Sequence, residues 1–192
     1  MISYNIKNNV AILSINVANQ PMNVLNSESI TALGEALEKA YADTEAKGII
    51  ITSERPEFVA GADLKMILEN NGKAPAELLK LSMGLNNLFR KMETNGKPVV
   101  AAINGTALGG GYEICLACHY RVALNAPKSV IGLPEVTVGL LPGGGGTQRL
   151  PRHLATNQPL LRANQLLILE RSMPPDNDTL NRFRNHRPKP YR

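Results

Sequence analysis

Short apolar runs alternate with longer stretches of helical periodicity along most of the chain. Strands are predicted where β-branched and other apolar residues concentrate, at 10–15, 48–52, 98–103, 120–123 and 129–131. Helices are predicted from a cap at Asn26 or Ser27 through Ala40, over about 76–93, and from the glycines at 109–111 through Cys118. This alternation predicts an α/β layered fold with functional loops at the strand ends.

The chain changes character after Arg152. All 16 glycines lie before residue 151, whereas 6 of the 13 prolines lie after residue 150. Residues 1–150 hold 13 basic and 13 acidic side chains, so the whole net charge of +5 belongs to residues 151–192. We therefore predict a core at 1–152 and a divergent, basic, proline-containing tail at 153–192, with at most one short helix at 160–169. A poorly ordered tail is the preferred interpretation, and a nucleic-acid-binding tail is the alternative.

Composition favours an ordinary globular enzyme or binding module. The chain is 43% hydrophobic and 19% charged. It contains no apolar run of about 18 residues and no recognisable signal peptide. We therefore expect a cytoplasmic protein that binds neither membrane nor nucleic acid.

The two cysteines form a Cys-x-x-Cys pair at Cys115 and Cys118, followed by His119. A zinc site would need further ligands at suitable spacing, and the sequence has no second cysteine pair. The pair falls inside an apolar helical run, where cysteine behaves as a small core residue. We predict a structural role for both thiols and for His119, and no metal site.

The candidate chemistry lies in two glutamates beside glycine-rich loops. Glu113 follows three glycines that open a predicted helix, and Glu135 precedes the glycine run at 143–146. Small residues let a ligand approach the backbone, and free N–H groups at a helix N-terminus favour negative charge. Two such donors converging on one oxygen form an oxyanion hole, and a carboxylate nearby can move a proton. The pattern predicts an enzyme that stabilises an enolate.

Each of these features alone is weak evidence. A lone glycine run is more often a turn, and a lone helix glutamate more often faces solvent. Neither glycine cluster matches a dinucleotide-binding or phosphate-binding loop fingerprint. The order and spacing of the whole set give the prediction its strength.

Taken together, these motifs resemble the enoyl-CoA hydratase/isomerase (crotonase) family. They are FVAGADLK at 58–65, NGTALGGGYE at 104–113, GLPE at 132–135 and GLLPGGGGTQRL at 139–150. The resemblance covers roughly residues 1–152. LACHYRV at 116–122 is most similar to the hydratase part of multifunctional fatty-acid oxidation α-subunits.

The resemblance implies a fold, an assembly and a set of site residues. The fold would be a spiral of repeated ββα units, usually trimeric when the hydratase stands alone. Glu113 and Glu135 would activate water and deliver a proton across the double bond of an enoyl-CoA, giving a 3-hydroxyacyl-CoA. The N–H groups of Ala62 and Gly110 would hold the thioester oxygen. The implied substrate-binding residues are Ala60, Asp63, Leu64, Lys65, Gly109, Pro134 and Gly143.

Coenzyme A enters as part of the substrate, so no separate cofactor is expected. Nothing in the chain resembles the dehydrogenase part of the multifunctional relatives, so no NAD binding is expected either. Family members normally continue well past the Thr-Gln-Arg-Leu-Pro-Arg stretch with helices that cover the site and build the trimer. Here that region is expected to be missing or altered, as in a truncated gene or a shifted reading frame.

Four functions stay open on the sequence. A hydratase uses both glutamates, whereas a double-bond isomerase needs only one base. An inactive, truncated crotonase remnant would at most bind acyl-CoA. The alternative from a different functional class is an interaction protein whose basic tail contacts nucleic acid or acidic partners.

Overall fold

In the computed structural model, residues 1–126 and 129–155 are described, and they form a twisted sheet flanked by helices. The strands are β1 (Ile2–Lys7), β2 (Val10–Ile15), β3 (Gly48–Ser53), β4 (Val99–Ile103), β5 (Ala107–Leu108), β6 (Tyr120–Ala123) and β7 (Ile131–Gly132). The main sheet has the order β1-β2-β3-β4-β6, and β5 pairs with β7 apart from it. Only the β1–β2 pair of the main sheet is antiparallel.

The helices connect the parallel strands across the sheet, as parallel pairing requires. They are α1 (Ser27–Ala42), α2 (Leu64–Glu69), α3 (Pro75–Thr94), α4 (Gly110–Ala117) and α5 (Gly146–Ala155), with a 3₁₀ helix at Glu135–Val138. α1 begins with a capping box in which the side chain of Asn26 accepts from the N–H of Ser29, and the hydroxyl of Ser29 accepts from the N–H of Asn26. This arrangement satisfies donors that a helix start leaves unpaired.

The core lies where alternate residues of the inner strands meet the helices. Ala11, Leu13 and Ile15 of β2 are at most 3% exposed, as are Ile49 and Ile51 of β3. Period-two burial of this kind places one face of each strand on the helices. The predicted α/β layering is confirmed.

The predicted elements agree with the structure in position and differ in extent. The strand expected at 129–131 is two residues long, and β1, β5, α2 and α5 were not predicted. The N-terminal half of α3 buries little apolar surface, because Leu78 and Leu81 are 40% and 52% exposed. Its C-terminal half does reach the core through Phe89 and Met92. The helix predicted at 160–169 lies outside the described residues.

Both cysteines occupy the core, as predicted. Cys115 and Cys118 are buried free thiols on and just after α4. Each thiol donates a hydrogen bond to a carbonyl oxygen one helical turn earlier, Cys115 to Gly111 and Cys118 to Ile114. His119 is half-buried, and its Nδ1 accepts a hydrogen bond from the N–H of Val99. All three residues therefore have structural partners.

Backbone pairing outside the main sheet brings three loops side by side. The N–H of Leu25 donates to the carbonyl of Gly61 at 2.8 Å. The N–H of Leu108 donates to Val59, and that of Gly109 to Gly132, at 3.0 and 2.9 Å. The loop at 59–63, the start of α4 and β7 are thereby held next to one another, although they are far apart in sequence.

Candidate active site

The N-terminus of α4 meets the loop at 59–63 with two unused backbone donors. Within the described part of the chain, neither the N–H of Ala62 nor that of Gly110 donates a hydrogen bond. A Cβ atom placed on Gly110 would lie 3.9 Å from the nitrogen of Ala62, so the two donors are neighbours. Gly109, just ahead, has φ +52°, which an L side chain rarely adopts. The structure thus brings the loop at 59–63 next to the start of α4.

Glu113 lies on the first turn of α4 and is held by the glycine-rich loop ahead of α5. Its Oε2 accepts from the N–H of Gly144 at 2.9 Å, and its Oε1 from the N–H of Gly146 at 2.7 Å. The residue is 2% exposed. Both carboxylate oxygens are therefore fixed, and each keeps further acceptor capacity for a water or substrate proton.

The pKa of Glu113 is raised above its usual value. Burial is the main cause, because it disfavours the charged carboxylate, and the nearby charge of Glu135 adds to it. The N–H groups of Gly146 and Gly144 and the cation of Arg149 oppose the rise, because they stabilise the anion. A carboxyl group whose pKa moves toward neutrality is better suited to both accept and return a proton.

Glu135 is the first residue of the 3₁₀ helix, and it lies near enough to Glu113 for its charge to raise the pKa of that residue. A Cβ atom on Gly109 would lie 3.2 Å from Oε1 of Glu135, so this carboxylate touches the loop that opens α4. Its Oε2 is buried and makes no hydrogen bond among the described residues. A buried carboxylate oxygen without a partner is costly, so it is expected to bind water or a ligand.

Arg149 on α5 supports the glycine-rich loop and was not singled out from the sequence. Its Nη1 donates to the carbonyl of Gly144 at 2.8 Å, and its Nε to Oε1 of Glu93 at 2.6 Å. The only sequence signal was a single cation three residues after a glycine run. The sequence analysis also missed that the N–H groups of Gly144 and Gly146 donate to Glu113. Every residue except proline has a backbone N–H, so the residue type does not show which of them will donate.

The remaining predicted substrate-binding residues are spread around the two glutamates. Asp63 caps α2 by accepting from the N–H of Lys65 at 2.9 Å, and the N–H of Ala60 is bonded to Asn23. Lys65 and Leu64 are exposed on α2, with Lys65 3.9 Å from Glu69. No hydrogen bond among the described residues joins them to Glu113 or Glu135.

Pro134 and Gly143 are exposed and differ in their surroundings. Pro134 directly precedes Glu135, and its carbonyl accepts from the hydroxyl and N–H of Thr137. The carbonyl of Gly143 accepts from the side-chain amide of Asn86 on α3 at 2.9 Å. Gly143 therefore contacts α3 on the far side of the loop that holds Glu113.

Two further features of the described residues limit the kinds of site present. Across 1–126 and 129–155, no group of three or more His, Cys, Asp or Glu side chains is arranged to hold a metal ion. No described helix combines the length and apolar character that a membrane crossing requires.

Comparison with known proteins identifies the class of protein that this fold and site define. A model of the enoyl-CoA hydratase/isomerase family matches residues 5–177. The chain belongs to this family, and its fold is crotonase-like. The match continues past Arg152 into the segment interpreted as a divergent tail, whose structure lies outside the described residues.

Individual relatives carry names from the same family. The chain is 46% identical over 144 residues to the fatty acid oxidation complex subunit alpha of Shewanella halifaxensis, an alignment of 74% of this chain and 20% of that protein. It therefore spans about a fifth of the length of that relative.

Solved structures agree with this assignment. The enoyl-CoA hydratase of Polaromonas sp. JS666 superposes with a TM-score of 0.73 at 32% identity, covering 86% of this chain and 62% of that one. The enoyl-CoA hydratase of Bacillus anthracis gives 0.70 at 33% identity, covering 86% and 61%.

Proposed function

We propose that the chain hydrates the 2,3 double bond of an enoyl-CoA thioester to give a 3-hydroxyacyl-CoA. The observation that carries the proposal is the meeting of two carboxylates, Glu113 and Glu135, beside the unused N–H groups of Ala62 and Gly110. Family membership supports the substrate class, and the relative named as a fatty acid oxidation subunit suggests a role in fatty-acid oxidation.

The reaction needs an electrophile, a base and an acid. Hydrogen bonds from Ala62 and Gly110 to the thioester oxygen would stabilise the negative charge that develops as water attacks C3. Removing one such donor typically costs about 10²- to 10³-fold in rate. One glutamate would take a proton from the attacking water, and the other would deliver a proton to C2. Exchange between the glutamates and solvent then restores both.

The two glutamates are equipped for different parts of this exchange. Glu113 has both oxygens fixed by N–H donors, which suits a base that keeps its position while its charge changes. Glu135 has one buried oxygen without a partner, which suits contact with the water or the C2 proton. General acid–base catalysis of this kind contributes on the order of 10² to 10⁴-fold.

The test follows the loss of enoyl-thioester absorbance when the purified 192-residue chain is mixed with crotonyl-CoA. Glu113→Gln and Glu135→Gln are each expected to lower kcat at least 10²-fold, with thioester binding retained. Glu77→Gln, an exposed residue of α3, is the matched control and should keep native activity. A native chain that is folded and binds crotonyl-CoA without turnover would instead indicate an inactive acyl-CoA-binding remnant.

Double-bond isomerisation is the second candidate, favoured by the way Glu113 is held. A single carboxylate with fixed oxygens and a raised pKa can move a proton between C2 and C4 alone. With 3-hexenoyl-CoA an isomerase would raise the absorbance of the conjugated product. Loss of that activity in Glu113→Gln but not in Glu135→Gln would favour isomerase over hydratase.

Some expectations from the sequence stay predictions. A trimer is expected by resemblance, and light scattering of the purified chain measures it. The reaction as proposed uses no cofactor beyond the coenzyme A of its substrate, so activity is expected to persist after dialysis against a chelator.

A further inference from the structure

We propose that Arg149 is a positioning residue that acts on Glu113 through the peptide of Gly144. The inference rests on the proposed function, since it concerns the catalytic competence of Glu113. Arg149 does not itself touch Glu113 through any hydrogen bond of the described residues. It acts through the backbone that holds the carboxylate.

The peptide units of the glycine loop connect the two side chains. The N–H of Gly144 donates to Oε2 of Glu113 at 2.9 Å, and the carbonyl of the same residue accepts from Nη1 of Arg149 at 2.8 Å. A shift of Arg149 therefore moves Gly144 and, with it, one of the two donors that fix the carboxylate. The next residue, Gly145, has φ +90°, so the loop turns sharply between its two donors to Glu113.

The side chain of Arg149, which lies on α5, is held in place by residues of α3. Its Nε donates to Oε1 of Glu93 at 2.6 Å, and its guanidinium carbon lies 5.6 Å from the ring centre of Phe89. The side chain of Arg149 is only 12% exposed and that of Glu93 26%. Asn86 on the same helix binds the carbonyl of Gly143. α3 thus anchors the loop at two successive carbonyl groups.

The space between these groups is fully used. A Cβ atom on Gly144 would lie 2.6 Å from Oε2 of Glu113 and 2.9 Å from the ring of Phe89. The loop is therefore confined between the carboxylate and the aromatic ring over which Arg149 lies. A side chain without an N–H donor at position 149 would release the carbonyl of Gly144 from this arrangement.

Charge adds a second effect in the same direction. The cation of Arg149 lowers the pKa of Glu113, whereas burial and Glu135 raise it. Three charged or titratable groups on elements packed against α4 have hydrogen-bond partners of their own: Glu93 with Arg149, His153 with the carbonyl of Leu116, and Arg121 with the carbonyls of Cys115 and Cys118. Removing the cation at position 149 raises the pKa of Glu113 further.

Two readouts separate this role from simple support of the fold. A residue that only stabilises the fold would lower the yield of folded protein and leave the pH profile of the folded fraction unchanged. A positioning residue lowers kcat with little change in KM, because the side chain of Arg149 is only 12% exposed and is bound to Gly144 and Glu93. It also moves the limb of the pH profile that Glu113 controls.

The experiment compares Arg149→Met and Arg149→Lys with Arg152→Met in the full chain. Arg152 is exposed on the same helix, so its substitution controls for the loss of a cation. For Arg149→Met we expect kcat to fall about tenfold or more, since misplacement by an ångström can cost about 10²-fold. The Glu113 limb should move to higher pH. Arg149→Lys should restore the limb and recover kcat in part.

Native kcat and an unmoved limb in folded Arg149→Met would overturn the proposal, as would equal changes in Arg152→Met. If Arg149→Met does not fold, Arg149→Gln takes its place, because glutamine keeps one N–H donor for Gly144. The carboxyl ¹³C resonance of Glu113, assigned with Glu113→Gln, gives a readout independent of turnover. A Glu113 midpoint unchanged by loss of Arg149 refutes the inference. A raised midpoint in a chain without turnover refutes the proposed function alone.

Discussion

Replacing Gly144 with alanine tests whether the loop positions Glu113. The added Cβ would lie 2.6 Å from Oε2 of Glu113, whereas ordinary van der Waals contact begins at 3.4 Å. The loop or the carboxylate must therefore move by roughly 0.8 Å, against a hydrogen bond that is 2.9 Å long. Phe89, 2.9 Å from the same Cβ, blocks retreat to the other side.

The expected cost follows from that displacement. A misplacement near 1 Å in an active site can lower the rate about 10²-fold, which corresponds to about 2.7 kcal/mol of transition-state stabilisation. We expect Gly144→Ala to lower kcat for crotonyl-CoA hydration by about that factor. KM should change little, because Gly144 is buried and its N–H is bonded to Glu113.

The matched control is Gly84→Ala on the exposed face of α3, where a Cβ atom would meet nothing within 4 Å. This variant should keep native kcat and gain about 0.5–1 kcal/mol in unfolding free energy, as alanine does in helices. Thermal unfolding by circular dichroism shows whether Gly144→Ala is folded. Native kcat in folded Gly144→Ala would refute the reasoning that the loop fixes a catalytic carboxylate.

Three further predictions concern the scaffold of the site. Gly111→Ala should lower the free energy of unfolding by several kcal/mol, because the added Cβ would lie 2.2 Å from the carbonyl oxygen of Val59. Urea unfolding measures this loss, and near-native stability would contradict the close packing at Gly111. Cys115 and Cys118 should resist a thiol reagent until urea unfolds the chain, since burial raises the pKa of both thiols; rapid labelling of folded protein would contradict it. Burial lowers the pKa of His119, so stability present above about pH 6.5 should decline as pH falls. His119→Asn, which keeps an acceptor for the N–H of Val99, should weaken that decline in urea titrations at pH 7.5 and 5.5, and an unchanged decline would exclude His119 as its source.

The sequence predicted the inner strands well because their burial follows directly from residue type. β2 and β3 are apolar, β-branched runs, and such runs favour a buried strand. α2 was missed for the opposite reason. Leu64, Ile67 and Leu68 do follow helical spacing, but the helix is only six residues long and buries no residue, so the pattern was too short to predict it. Its structure depends on the cap that Asp63 provides.

The candidate site could be predicted in its residues but not in its internal contacts. Glu113, Glu135, Ala62 and Gly110 were found through motif order, and the structure brings them together. The hydrogen bonds from the loop at 144–146 to Glu113 depend on backbone direction, which residue type does not report. The same holds for Arg149, whose role arises from where α3 and α5 lie after folding.

The two glutamates are held so differently that they should respond differently to damage. Glu113 is fixed by a loop that α3 anchors through Arg149 and Asn86, so changes in any of these residues reach it. Glu135 belongs to a 3₁₀ helix whose own bonds are local, such as that from the N–H of Leu140 to its carbonyl. Its Oε2 is buried and has no hydrogen-bond partner among the described residues. A buried acceptor gains most stabilisation from a new hydrogen-bond donor. A ligand that donates to the site should therefore stabilise the position of Glu135 more than that of Glu113. We therefore expect substitutions far from the site to change catalysis mainly by moving Glu113. A bound ligand, by contrast, should act mainly on Glu135.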